Sequence, residues 1–248
     1  MFTEELSVER RAMIYAALAE PARLAVVDLL AFGDVSPSEL GAALDLPSNL
    51  LAHHLRVLEE AGMIRRTRSE ADRRRSYARL VPSAFDLLNP AAGRRTLPAG
   101  RVVFVCTRNS ARSQLAAALW TRRSPVPTAS AGTHPADRVH RRAVTTARRH
   151  GLTLDAHRTA QLRDTLRPGD LVVAVCDNAY EELHDEPGQQ PPLHWSVPDP
   201  VRTDTDDAFE SAFTEIAARI DQLNPLVTNS QHTPAGDTPT RRATAPGS

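Results

Sequence analysis

The feature that most constrains this chain is a strand that runs into a cysteine. Val102-Val103-Phe104-Val105 ends on Cys106, and Thr107-Arg108-Asn109-Ser110-Ala111-Arg112 follows before Ser113-Gln-Leu-Ala-Ala-Ala-Leu turns helical. A short, continuous apolar run of this kind predicts a strand buried on both faces. A loop joining such a strand to a helix aims several backbone N–H groups at one point, where the helix dipole favours an anion. Cys106 begins the loop inside that field, which favours the nucleophilic thiolate, and Ser113 can donate a further hydrogen bond to the sulfur. Arg112 can fold back and hold two oxygens of a tetrahedral oxyanion in its planar fork. Thr107, Arg108, Asn109, Ser110, Ala111 and Arg112 are therefore the expected oxyanion cradle, with nucleophile and substrate in line.

The surrounding pattern supports the same architecture. Residues 171–175 form a second short apolar run, and helical stretches are expected at 113–122, 135–150, 178–184 and 206–223. Strands alternating with helices predict an α/β domain, an open parallel sheet with helices on both faces. Its expected bounds are 101–223. Residues 89–100 (NPAAGRRTLPAG) read as a linker. Residues 224–248 are rich in Thr, Pro and Gly and are expected to be disordered.

Residues 1–88 read as a separate, mainly α domain. Pro21 stands where a second helix would begin, and Ser36-Pro37-Ser38-Glu39 opens a third that ends near Leu44. Ser48 is read as the cap of a longer helix that Gly62 stops. Residues 64–81 alternate around a polar turn at 69–72, which predicts a β-hairpin. Within the longer helix, Leu51, Leu55 and Leu58 share the core face. Ser48, Asn49, Ala52, His53 and Arg56 face outward. The layout is that of a winged helix-turn-helix, whose second helix would enter a major groove.

Charge is balanced over the chain, 30 basic against 30 acidic residues, so no global field announces nucleic acid. The hairpin differs. Arg65, Arg66, Arg68, Arg73, Arg74, Arg75 and Arg79 stand against only Glu70 and Asp72, a local excess suited to phosphate contacts. Every basic residue in the chain is Arg. Cys106 and Cys176 are the only cysteines, too few for a disulfide framework, so a reducing cytoplasm is the expected compartment. The N-terminus has no apolar core of a signal segment. No run of about 18 apolar residues exists, and no membrane role is expected.

The motif Cys106-Thr-Arg-Asn-Ser-Ala-Arg112-Ser-Gln resembles the phosphate loop of the low-molecular-weight tyrosine phosphatase and thioredoxin-type arsenate reductase superfamily. Thr-Ala-Ser-Ala-Gly-Thr at 128–133 is similar to that family's second strand. His194-Trp195-Ser-Val-Pro-Asp199-Pro200 is similar to the loop carrying its general acid. The resemblance implies that Asp199 protonates the departing oxygen and that Asn109 holds the loop's shape. Gln114, Val201 and His194-Trp195 are reductase-like, since phosphatases of the family usually carry Pro and an aromatic residue at the first two positions. Cys176 stands where thioredoxin-coupled reductases keep a resolving cysteine, but Leu183 replaces the further cysteine of a three-thiol relay. Either Cys176 resolves the adduct directly or an external thiol does. The expected reductant is thioredoxin or a mycothiol/mycoredoxin system, with no bound cofactor and no metal.

The first domain resembles ArsR-type repressors through Ala-Leu-Ala-Glu-Pro-Ala-Arg-Leu at 17–24 and Ser48-Asn-Leu-Leu-Ala-His-His-Leu-Arg-Val-Leu58, with Ala52 in place of the usual Ser. The resemblance implies operator DNA as a partner, with Arg73, Arg74 and Arg75 contacting phosphates. It also implies a homodimer built from the first helix and the segment after the wing. Residues 1–100 contain no cysteine, so thiolates for arsenite cannot be assembled there. The catalytic domain is instead expected to double as the sensor, bound to arsenate or phosphate. Three readings stand at this point: an arsenate reductase fused to a repressor, a tyrosine phosphatase fused to a DNA-binding module, and a repressor that only senses an oxyanion.

Overall fold

The computed structural model describes residues 8–81, 96–184 and 191–229. Parts of the expected first domain (1–7 and 82–88), residues 89–95 of the expected linker, and residues 230–248 of the expected tail lie outside the described residues.

The N-terminal half runs α1 (Val8–Leu18), α2 (Pro21–Leu30), α3 (Pro37–Leu44), α4 (Ser48–Glu60) and the antiparallel pair β1 (Ile64–Arg68) and β2 (Ser76–Leu80). Its boundaries follow local chemistry. Pro21 sits in the first turn of α2, and the Glu20 carboxylate accepts from the Arg23 amide at 2.9 Å. Ser36 and Glu39 form a reciprocal capping box on α3, the Ser36 amide donating to Glu39 at 2.7 Å. Gly62, at φ 63°, takes the left-handed turn that ends α4. One expectation is corrected here. Ser48 is the first helical residue rather than the cap, a position filled by Pro47, which has no side chain able to accept a hydrogen bond. Leu51, Leu55 and Leu58 of α4 pack with Val26, Val27, Leu30, Leu40 and Met63 into this half's own core.

The C-terminal half contains β3 (Leu97–Ala99), β4 (Arg101–Cys106), α5 (Arg112–Arg123), β5 (Thr128–Gly132), α6 (Arg141–Arg149), α7 (Leu162–Thr165) and β6 (Asp170–Ala174). It continues with α8 (Asp177–His184), β7 (Leu193–His194), α9 (Pro200–Thr203), α10 (Asp206–Leu223) and β8 (Val227–Asn229). Four parallel strands form the sheet in the order β5-β4-β6-β7. Phe104, Trp120, Trp195, Leu115, Leu119 and Ile216 fill the core around β4. Ligands in such sheets bind beyond the carboxyl ends of the strands, where the order reverses. Cys106 closes β4 at that end, and Cys176 follows β6 beside it.

Three sequence expectations are revised. Leu97–Ala99 of the supposed linker pairs in parallel with Val227–Asn229 of the supposed disordered tail. Residues 224–226 form a 3₁₀ turn between α10 and β8, so order extends past residue 223. Residues 135–140 are not helical. The amides of His134, Ala136 and His140 donate to the carbonyls of Thr107, Arg108 and Ser110, so the segment spends its donors on the phosphate loop rather than on a helix. Among the described residues, no helix is long and apolar enough to cross a membrane.

The two halves dock through buried polar contacts. Asp34, 3% exposed, receives the Arg219 guanidinium on both oxygens at 2.9 and 2.8 Å and the Ser196 amide at 2.7 Å. The Asp34 amide in turn donates to the His194 carbonyl at 2.7 Å. A Cβ on Gly33 would lie 2.5 Å from that same carbonyl oxygen, so the close approach requires glycine. Tyr77 of β2 sits edge-on to His194, which stacks on Tyr180.

Candidate active site and nucleic-acid interface

The loop after β4 is held from inside by one residue. Asn109 is fully buried in the left-handed conformation, φ 48°. Its amide donates to Cys106 Sγ at 3.2 Å and its Nδ2 to Ser113 Oγ at 2.8 Å. Its Oδ1 accepts from Gln114 Nε2 at 3.0 Å and from the Ala160 amide at 2.9 Å. Asn tolerates this backbone better than most residues, and its amide, Nδ2 and Oδ1 all have partners. From outside, Gly132 at the end of β5 lies so close that a Cβ would meet the Thr107 carbonyl at 2.9 Å. The loop is thus clamped between β5, residues 134–140 and its own asparagine.

Around this scaffold the expected catalytic groups converge. Ser113 Oγ lies 3.1 Å from Cys106 Sγ, at the buried start of α5. Arg112 is also buried. Its Nη1 donates to the Val197 carbonyl at 2.9 Å, and its Nη2 lies 3.2 Å from Asp199 Oδ2. Burial opposes the arginine's charge, but the sulfurs of Cys176 and Cys106 and the carboxylates of Asp199 and Glu70 outweigh it and raise the guanidinium above its ordinary range. Asp199 caps α9 by accepting from the Val201 amide at 3.2 Å, which aims its other oxygen at Arg112. Cys176 is buried with its Sγ 3.6 Å from Thr107 Oγ1. Desolvation pushes its thiol up, and Arg112 pulls the other way without cancelling that effect.

Of the cradle, Thr107 and Ser110 are half-buried, Asn109, Ala111 and Arg112 are buried, and the Arg108 side chain is exposed. Arg108 and Ser110 border a groove of about 800 Å³ that Arg138, His140, Arg141, His157 and Val201 also line. Val201 presents no ring there. His194 lies away from the loop, paired with Asp177 at 2.9 Å in the interface between the halves.

The outward face of α4 is open. Ser48, Asn49, Ala52, His53 and Arg56 are all exposed, with Arg56 near Glu60 and His53. His54, by contrast, is a packing residue beside Glu20. Arg73, Arg74 and Arg75 are exposed on the hairpin, the latter two close to Asp72. Arg79 leaves the expected basic patch: it is buried and paired with Glu215 of α10.

Sequence reasoning missed Glu70. It counts as a mere charge offset in an arginine-rich hairpin, yet its Oε2 accepts from the Asp199 amide at 3.1 Å and stands 3.9 Å from Arg112 Nη1. An acid at the tip of a basic turn was the only signal. The Ala160 amide and the Val197 carbonyl were also invisible, because any residue supplies them.

With this geometry in hand, comparisons with known proteins fall on both halves. The model of the low molecular weight phosphotyrosine protein phosphatases matches residues 101–232, and a helix-turn-helix domain model matches residues 18–67. Among solved structures, an arsenate reductase from Archaeoglobus fulgidus DSM 4304 is 26% identical, over 50% of this chain and 98% of that one, with a TM-score of 0.41. A low molecular weight protein tyrosine phosphatase from T. tengcongensis is 23% identical, over 50% of this chain and 97% of that one, with a TM-score of 0.45. No curated protein matches the chain.

Proposed function

Because the chain belongs to the low molecular weight phosphotyrosine protein phosphatase family and carries a helix-turn-helix domain before that region, we propose that it is a thiol-dependent arsenate reductase joined to a DNA-binding regulator. The observation that carries the reductase reading is the second thiol. Cys176 stands at the end of the strand beside that of Cys106, against Thr107 of the phosphate loop and within the field of Arg112.

The chemistry follows from those positions. Arg112 and the loop amides hold arsenate while the Cys106 thiolate attacks arsenic, and Asp199 protonates the oxygen that departs as water. An S–As(V) adduct remains. The Cys176 thiolate then attacks Cys106 Sγ. The S–As electron pair passes to arsenic, arsenite leaves, and a Cys106–Cys176 disulfide is the oxidised product. A thioredoxin or mycothiol/mycoredoxin system returns the two electrons. The exposed face of α4, with Ser48, Asn49, Ala52, His53 and Arg56, and the hairpin arginines Arg73, Arg74 and Arg75 contact operator DNA. Exposed Val8, Met13 and Tyr15 on α1 support the homodimer.

A second reading, phosphomonoester hydrolysis, is favoured by the 800 Å³ groove beside Arg108 and Ser110, which has room for a leaving group larger than water. Arsenate turnover with each reductant system, and aryl phosphate hydrolysis, measured side by side on wild type, Cys106→Ser and Cys176→Ser, separates the two. Arsenate turnover lost in both variants supports the reductase with Cys176 as resolving thiol. Aryl phosphate hydrolysis that survives in Cys176→Ser, without arsenate turnover in any form, replaces it with the phosphatase.

A further inference from the structure

The hairpin tip of the DNA-binding half lies at the mouth of the phosphate loop, and it is fastened there. Ser69 is 2% exposed, its Oγ donating to Glu181 of α8 at 2.6 Å while accepting from the Ala71 and Asp72 amides. Tyr77 of β2 donates to the same Glu181 oxygen at 2.9 Å. The Glu70 amide donates to Asp177 Oδ2 at 2.6 Å, at the start of α8. These contacts leave the Glu70 side chain aimed at the catalytic groups, with Oε2 on the Asp199 amide and 3.9 Å from Arg112.

Arg112 therefore faces two carboxylates, Asp199 and Glu70, in addition to the Val197 carbonyl. Asp199 has a role in the chemistry. Glu70 comes from the other half of the molecule and has none there. A tetrahedral dianion seated on the Arg112 fork meets the Glu70 charge at close range in a partly dry site, where like charges repel far more strongly than in water. The carboxylate and the oxyanion draw on the same guanidinium, so each weakens the other's hold.

We propose that Glu70 is an internal competitor for the oxyanion: it sets the affinity of the phosphate loop for its anionic ligand, and filling the loop releases the hairpin tip. The proposal rests on the reading of residues 106–112 as an oxyanion site. It gives the occupancy of that site a direct route to the arginine-rich hairpin, through a contact rather than through the packed core. The coupling is reciprocal, so whatever draws the hairpin off the catalytic half tightens oxyanion binding by the same factor.

The test uses the full-length protein with inorganic phosphate as the probe. Calorimetric titration compares wild type with Glu70→Gln, which keeps an acceptor for the Asp199 amide and removes the charge. Hydrogen exchange of the Glu70, Ala71 and Asp72 amides in wild type, with and without saturating phosphate, reads the tip directly and needs no variant. The expected results are phosphate bound roughly tenfold more tightly by Glu70→Gln, and tip amides exchanging roughly tenfold faster when phosphate is bound. Equal or weaker binding by Glu70→Gln overturns the competition, and tip amides indifferent to phosphate overturn the release. Phosphate bound by neither protein overturns the oxyanion site itself, and the competition with it.

Discussion

The phosphate loop and the outward face of α4 are the two regions from which function is read, and they are built in opposite ways. In the loop the buried side chains are fixed by named partners: Asn109 alone ties together Cys106, Ser113, Gln114 and the Ala160 amide. On α4 the side chains offered to a partner are exposed and only loosely paired, as Arg56 is with Glu60 at 3.2 Å on the surface. Catalysis requires groups fixed before the substrate arrives, whereas groove recognition draws its order from the partner. The contact surface between the halves belongs with the loop in this respect, since Asp34 and Arg219 are as buried as Asn109 is locked.

The largest expected effect breaks that docking. Arg219→Ala leaves the Asp34 carboxylate buried without its fork, at a cost of about 3–5 kcal/mol. Burial alone would push the Asp34 carboxyl up, but the Arg219 charge outweighs it and holds the group below its ordinary value. A carboxylate held low contributes stability that is complete above its unfolded value and is lost as pH falls through the folded one. The stability gap between wild type and Arg219→Ala is therefore widest at neutral pH and closes in acid. Denaturant unfolding across that range measures it, and a gap that is absent or independent of pH removes the pair from the forces joining the halves.

The next effect falls on the loop. Asn109→Ala gives up the left-handed backbone preference, removes one partner of the Ser113 hydroxyl and strands the Ala160 amide, so turnover is expected to fall about 10²–10³-fold. Asn109→Gly restores the backbone freedom without the hydrogen bonds. Recovery of activity in the glycine variant would show that φ matters more than the bonds; an equally deep loss keeps the bonds as the cause.

What the sequence made legible divides along the same line. The strand, the cradle and the clamp are contiguous from Val102 to Arg112, so one reading frame contains them, and the helix boundaries marked by Pro21, Ser36 and Gly62 are local as well. Glu70 and Arg112, or Asp34 and Arg219, meet only because two domains dock, and no periodicity encodes that. Arg79 was misjudged for the same reason, since its partner Glu215 is far away in sequence. The helix expected from residue 135 starts at Arg141 because the preceding amides serve the phosphate loop. The strand at 97–99 hides in a Pro- and Gly-rich stretch whose partner strand is equally short.

A smaller effect separates the two thiols. Burial raises Cys176 above the ordinary thiol range, so at neutral pH it is held as the thiol. Formation of the Cys106–Cys176 disulfide is then limited by the thiolate fraction of Cys176 and is expected to rise about tenfold per pH unit. Because burial raises the group, the climb continues above the ordinary thiol range. Quenched-flow trapping of the oxidised protein after arsenate addition follows this rate, and absence of the Cys106–Cys176 disulfide at every pH would assign the resolving step to an external thiol.

The smallest effect probes the hairpin. The Arg74 side chain is 91% exposed, with Asp72 at 3.0 Å as its neighbour, so Arg74→Ala leaves the melting temperature unchanged. If the arginine neutralises one DNA phosphate, binding to a duplex weakens evenly across sequences, and the slope of log affinity against log salt becomes shallower by about 1. Arg66 is the comparison: each fork lies on a carboxylate, Arg66 on Glu59 at 2.9 and 2.5 Å and Arg74 on Asp72 at 3.0 and 3.1 Å, but the Arg66 side chain is only 42% exposed, and its removal is expected to change the slope less. A slope that Arg74→Ala leaves unaltered would remove Arg74 from the DNA contact and leave α4, Arg73 and Arg75 to carry it. A shallower slope instead places both functions on one hairpin, with its arginines on the duplex and Glu70 at the phosphate loop.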